Sequence, residues 1–165
     1  MDDRNLLSGI RVIDCGTYVA GPAAATVMSD FGADVIKIER PGGGDLWRLF
    51  SRLPGSAHSD VDWCWILTNR NKKSVALDLA DPAGREALIR LVRTADVFLT
   101  NYQRPLLDKF GLSWEALAAV NERLIYAHLT GYGDAGEDAD DPAFDALAYW
   151  ARSGLMMSVT GLDGT

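Results

Sequence analysis

The opening stretch constrains the fold of this chain more than any other part, because its hydrophobic period switches from that of a strand to that of a helix and back. Ile10-Arg11-Val12-Ile13-Asp14-Cys15 largely alternates and breaks at Gly16, as a strand running into a turn does. Pro22 then opens a helix. In it Ala24, Val27, Met28 and Phe31 follow the i, i+3, i+4, i+7 spacing of one core-facing stripe, and Gly32 stands where a left-handed C-terminal cap is needed. Asp34-Val35-Ile36-Lys37-Ile38-Glu39 is rich in β-branched residues and closes at Pro41-Gly42-Gly43-Gly44, so it reads as a second strand. A β-α-β unit sets its strands parallel with a right-handed crossover, which places the chain in the α/β class.

The remaining sequence repeats the theme. Ser74 to Leu79 reads as a third strand; Asp81 caps and Pro82 opens a helix whose Leu88, Leu91, Val92 and Ala95 face a core. Asp96 to Thr100 is a fourth strand, followed by a short turn region. Ser113 caps a helix with Trp114, Leu117 and Ala118 inward, and Leu124 to Leu129 is a fifth strand. Five strands mostly separated by helices predict a Rossmann-like parallel sheet with flanking helices, and 165 residues suffice for one such domain spanning 1–165. Residues 44–71 carry Trp47, Leu49, Phe50, Leu53, Trp63 and Trp65 without a clean period and read as a long connection, which in a small domain is usually functional. Asp134 to Asp141 is an acidic, solvated loop; Phe144 to Arg152 is one more helix, and 160–165 a further loop.

Charge and cysteine content exclude several functions. The net charge of −7 gives no basic stripe for phosphate backbones, so nucleic acid is not expected as a partner. Cys15 and Cys64 are too few for a disulfide framework and fit a reducing cytoplasm. The polar start Met1-Asp2-Asp3-Arg4-Asn5 lacks the basic-then-apolar order of a signal peptide, and no run of about 18 apolar residues exists to span a membrane. His58 and His128 match no zinc spacing with those cysteines, so no metal is expected.

In an open parallel sheet, ligands sit beyond the carboxyl ends of the strands. Four segments there are unusual: Gly16 to Pro22, Glu39 to Asp45, Asn101 to Pro105, and Gly131-Tyr132-Gly133. Glycines at 16 and 21 match neither G-x-G-x-x-G nor a P-loop. Arg40 follows a strand end, where a guanidinium either clamps a phosphate or is simply solvated. Glu39 is placed to touch a ribose, as acids at the second strand end do in dinucleotide folds. Asn101 and Tyr102 offer an amide and a ring to an adenine or pantetheine, or form a self-satisfied loop. The cationic run Asn69 to Ser74 reads as a solvated face. Cys15 has no adjacent base and reads as an inert buried thiol. Trp47, Trp63 and Trp65 serve an acyl pocket or packing equally well.

An ordered series of segments resembles the amino-terminal stretch of the class III CoA-transferases, the CaiB/BaiF or formyl-CoA transferase-like family. It comprises Gly9 to Asp14, Ala20-Gly21-Pro22, Asp30 to Glu39, Gly44-Asp45, Asn71 to Ser74, Ala95-Asp96-Val97, Asn101-Tyr102, Gly131-Tyr132-Gly133 and Ser153-Gly154. The resemblance implies transfer of CoA from an acyl-CoA to a carboxylic acid through mixed anhydrides and an aspartyl-CoA thioester. By the same resemblance Arg40 meets the nucleotide end of CoA, and Tyr18, Leu77, Asn101, Tyr102, Lys109 and Phe110 line its path. Lys109 stands where relatives often carry arginine. The family's nucleophilic aspartate matches no residue up to Thr165, so no catalytic residue is assigned; Asp145 matches an auxiliary acidic position. Related racemases carry a histidine base just before that position, where this chain has Phe144, which favours a transferase. The resemblance also implies an interlocked homodimer for a chain of full family length. A split subunit with a partner chain, and a non-catalytic module that binds CoA or a nucleotide, stay open beside the transferase.

Overall fold

The computed structural model describes residues 5–57 and 59–159. Strands β1 (Arg11–Cys15), β2 (Asp34–Glu39), β3 (Lys73–Ala76), β4 (Val97–Thr100) and β5 (Ile125–His128) form one sheet in the order β3-β2-β1-β4-β5, and every pairing is parallel. Helices α1 (Ala20–Asp30), α2 (Trp63–Asn69), α3 (Pro82–Val92), α4 (Arg104–Phe110), α5 (Trp114–Ala118) and α6 (Leu155–Val159) complete it, with a 3-10 helix at Leu46–Arg52 and a π-helix at Ala146–Ala151. This is the expected α/β fold, a Rossmann-like parallel sheet with flanking helices.

Strand alternation builds the two halves of the core. Val12, Val35 and Val97 belong to a cluster with Ala25 of α1, while their neighbours Ile13, Ile36 and Phe98 join Leu88, Val92, Leu107, Leu112 and Leu117 beneath α3, α4 and α5. Both faces are covered, so β1, β2 and β4 are buried almost throughout. The caps fall where the sequence puts them: Asp81 accepts from the Ala83 N–H, and Ser113 from the Ala116 N–H. Gly32, at φ 98°, ends α1, with Ala33 N–H donating to Met28 O.

Four local expectations are corrected, the first being Trp114 of α5, which is 45% exposed rather than inward. The buried face of α1 is Gly21, Pro22, Ala25, Thr26 and Ser29, whereas Val27 and Phe31 are 53% and 43% exposed. The helix lies too near the sheet for large side chains, since a Cβ on Gly21 would come within 2.9 Å of Leu99 Cδ2. The two buried hydroxyls are satisfied, Thr26 donating to Thr68 O and Ser29 to Thr26 O. Within 44–71 the chain forms a 3-10 helix and α2 rather than a bare connection, each capped by an aspartate: Asp45 accepts from Trp47 N–H and Asp62 from Trp65 N–H. The turn region after β4 contains α4, opened by Arg104-Pro105 and closed by Gly111 at φ 66°. The helix expected from Phe144 to Arg152 is present as the π-helix, α6 follows it, and the loop expected at 160–165 lies outside the described residues. No helix among the described residues is long and apolar enough to cross a membrane.

Candidate functional site

The strand order reverses between β1 and β4, the place where open parallel sheets bind ligands, and the segments that follow β1, β2 and β4 come together beyond the strands' carboxyl ends. Asn101 joins two of them: its Oδ1 accepts from Thr17 N–H at 2.8 Å and its Nδ2 donates to Thr17 O at 3.0 Å. The Asn101 amide thus ties the loop after β4 to the loop after β1. Next to it Tyr18 adopts a left-handed backbone at φ 61°, a conformation that costs a non-glycine residue about 1 kcal/mol. Both carboxylate oxygens of Asp45 accept from its N–H at 3.2 Å, and its ring meets Phe144 edge-on at 5.5 Å.

A cleft of about 220 Å³ lies above these contacts, lined by Thr17 and Tyr18, by Ile38 to Arg40, by Gly44 to Leu46, and by Tyr102. Arg40 stands at its rim, where Nε donates to Gly44 O at 3.0 Å and the terminal nitrogens have no partner among the described residues. Tyr102 packs against the core, its hydroxyl within reach of the Cys15 thiol, and burial pushes its phenol above the ordinary range. Burial also pushes the Cys15 thiol up to about 12, so it is not a nucleophile.

Glu39 does not meet the ribose expectation. Its carboxylate accepts from Arg48 Nε and Nη2 at 2.8 Å, from Ser74 Oγ at 2.5 Å and from Asp45 N–H at 2.9 Å. Burial alone would raise it, but these bonds and the Arg48 charge outweigh burial and hold the carboxyl at about 2. Arg48 stacks on Trp65 at 3.4 Å, and Trp47 Nε1 donates to Cys64 O at 2.8 Å, so these two tryptophans staple the 3-10 helix to α2 and do not line the cleft. Trp63 is 41% exposed.

Beneath the cleft floor lies a charge cluster that sequence reading missed. Lys37 is fully buried, 3.2 Å from Asp45 and 3.7 Å from Asp14, and donates to Gly16 O. Lys72 is buried too, donating to Asp14 Oδ2 at 2.8 Å, Pro22 O at 2.7 Å, Thr68 O at 2.8 Å and Asn69 Oδ1 at 3.0 Å; burial lowers its pKa and Asp14 partly restores it. The cationic run is therefore split, Lys73 remaining 71% exposed while Lys72 points inward. One signal was available: Asp14 and Lys37 each interrupt the apolar run inside its strand, and the register pairs them side by side.

Of the residues singled out, Tyr18, Arg40 and Tyr102 meet at the cleft, and Asn101, outside its lining, is bonded to Thr17 of one wall. Leu77 and Phe110 pack partly buried against the core, and Lys109 is exposed on α4; none of the three lines the cleft. Asp145 is exposed. His128 Nε2 lies 2.8 Å from Tyr102 O and Nδ1 3.0 Å from Asp134; Arg104 donates to Asp134 O and Gln103 to Asp140 O. The acidic loop is thus strapped onto the segment after β4. No group of three or more metal-ligating side chains occurs among the described residues, and His58 is not one of them.

Residues 7–165 match the family model for CoA-transferase family III, and the chain belongs to that family. It is 42% identical over 143 residues to the succinyl-CoA–L-malate CoA-transferase beta subunit of Chloroflexus aurantiacus, an alignment covering 87% of this chain and 35% of that one. Against the succinate–glutarate CoA-transferase of Agrobacterium fabrum it is 43% identical over 158 residues, 94% of this chain and 39% of the relative. The chain therefore spans roughly a third of the length of these curated relatives. Among solved structures, Rv3272 from Mycobacterium tuberculosis superposes with a TM-score of 0.86 at 37% identity, covering 99% of this chain and 45% of that one. A CaiB/BaiF family protein from Brucella suis superposes with a TM-score of 0.83 at 35% identity, covering 96% and 41%.

Proposed function

We propose that this chain forms the CoA-binding domain of an enzyme that moves CoA between an acyl-CoA and a carboxylic acid. The observation that carries the reading is the cleft between the segments that follow β1 and β2, bordered by Tyr102 after β4, with the terminal nitrogens of Arg40 at its rim without a partner among the described residues. A guanidinium so placed binds a phosphate of the CoA nucleotide in two-pronged geometry. The rings of Tyr18 and Tyr102 flank the apolar part of the ligand, while Asn101 fixes the separation of the loops that carry them. Leu77, Lys109 and Phe110, outside the cleft, extend the path over α4 and the end of β3. A plain dinucleotide site is disfavoured, because every oxygen of Glu39 that would hold a ribose is already engaged.

Transfer proceeds, in this reading, through mixed anhydrides and an aspartyl-CoA thioester, with Asp145 beside the thioester. The attacking carboxylate corresponds to none of this chain's residues and is assigned to a segment or partner chain outside them. A racemase reading has no base to offer where Phe144 stands, since a hydrocarbon ring cannot take an α-proton.

Calorimetric titration of CoA into the chain tests the binding reading. The wild type should bind, and Arg40→Ala should weaken binding about tenfold, the loss of roughly 1.4 kcal/mol of charge-assisted hydrogen bonding. No heat of binding to the wild type, or equal affinities, would overturn it. Label exchange from an acyl-CoA to a carboxylate, assayed in a protein of the relatives' full length, separates a transferase from a module that only binds.

A further inference from the structure

Lys37 is an expensive residue for its position. Its ammonium is wholly out of water in the middle of a covered strand, where an apolar side chain of similar size would pack without desolvating a charge. Three acceptors surround it, and they come from three separate segments. Asp14 lies in β1, Gly16 O in the turn after β1, and Asp45 in the loop after β2.

Those last two segments are the opposing walls of the cleft. Asp45 carries the connection further, because the carboxylate that pairs with Lys37 also accepts from Tyr18 N–H on the first wall and from Trp47 N–H at the start of the 3-10 helix on the second. Tyr18 has a left-handed backbone there, a conformation that its own sequence does not favour and that these hydrogen bonds hold. The cluster is balanced in charge, with Asp14 and Asp45 facing Lys37 and Lys72, so the Lys37–Asp45 pair can be removed together and leave Asp14 matched with Lys72.

We infer that Lys37 is a positioning residue for the ligand cleft: through Asp45 it holds Tyr18 and the 3-10 helix at the separation that the ligand requires. The inference rests on the reading of the cleft as a CoA site, and its test carries one readout that does not involve CoA.

Three variants are compared with the wild type: Lys37→Met, Asp45→Asn and the charge-balanced double variant, with Lys73→Ala as a control for loss of one exposed lysine. Hydrogen exchange should show faster exchange at the Tyr18 and Trp47 amides in Lys37→Met and in the double variant, with the β1 and β2 strand amides as protected as before. CoA titration, made where circular dichroism shows each variant folded, should show about a tenfold loss in each single variant and no further loss in the double. The control should bind as the wild type does.

Unchanged protection at Tyr18 overturns the positioning role whatever CoA does. So does a fall in thermal stability with unchanged CoA affinity in the folded variants, and so do additive losses in the double. Should Lys37→Met fail to fold, the double variant, which buries no unpaired charge, answers in its place. If the wild type binds no CoA while Tyr18 loosens as expected, the ligand assignment falls and the positioning of the cleft walls stands.

Discussion

Replacing Glu39 by glutamine should change how stability depends on pH, and the size of the change follows from the site. In the folded chain the carboxyl is held at about 2 against an ordinary value of 4.5, because Arg48, Ser74 and the Asp45 N–H outweigh the cost of burial. A carboxylate whose pKa is lowered by folding contributes stability that is complete above its unfolded value and lost as pH falls toward the folded one. The full contribution, at 1.36 kcal/mol for each tenfold change in proton affinity, is about 3 kcal/mol. Integrating the two titrations to pH 3.5 gives a loss of about 1.4 kcal/mol relative to pH 7. Glutamine cannot titrate, so the stability gap between wild type and Glu39→Gln should narrow by about that amount between pH 7 and pH 3.5. Urea unfolding at several pH values measures it, and taking the difference between the two proteins cancels the other carboxylates. A gap of constant width would mean that the Arg48 and Ser74 contacts do not favour the charged form, and the reasoning would fail with it.

Two further outcomes follow from the packing. Gly84 sits inside α3, where alanine ordinarily adds stability, yet a Cβ there would run into the Asp78 carbonyl oxygen. Gly84→Ala should therefore destabilise by about 1–3 kcal/mol, and a rise in melting temperature would contradict the fold at that corner. The Cys15 thiol, pushed up to about 12 by burial, should resist thiol reagents at pH 8 until the chain unfolds. Peptide mass mapping that finds it labelled in native buffer at the rate of a free cysteine would show that the β1 end is open.

Periodicity revealed the β-α-β unit because β1, α1 and β2 change period at punctuated boundaries, and each boundary has a chemical cause: Gly16, Gly32, or the proline and glycines after Arg40. Periodicity failed on α1 for an identifiable reason. It assigns the largest apolar residues to the inside, but the distance between helix and sheet admits only Gly21, Ala25 and small hydroxyl residues there, leaving Val27 and Phe31 outward. α4 was missed because Arg104-Pro105 reads equally as a turn or as a helix start, and the choice depends on Leu107 finding the core cluster.

The site divides along the same line. Arg40, Asn101 and Tyr102 were legible as candidates because each follows a strand, and any parallel sheet presents such positions at one edge, whereas Tyr18 was a candidate only through the family resemblance. Whether they converge depends on strand order, and the order β3-β2-β1-β4-β5 brings the ends of β1, β2 and β4 together. Leu77 follows β3, one strand further out, and Lys109 and Phe110 end a helix that leads away, which is why they lie off the cleft. The buried charges were illegible for a deeper reason. Alternation marks a strand's polar residues as outward only when one face meets water, and in this sheet Asp14 and Lys37 lie where both faces are covered. A polar residue in such a strand has no solvent to turn to, so it must find a partner within the fold; here the partners belong to the loops that form the cleft.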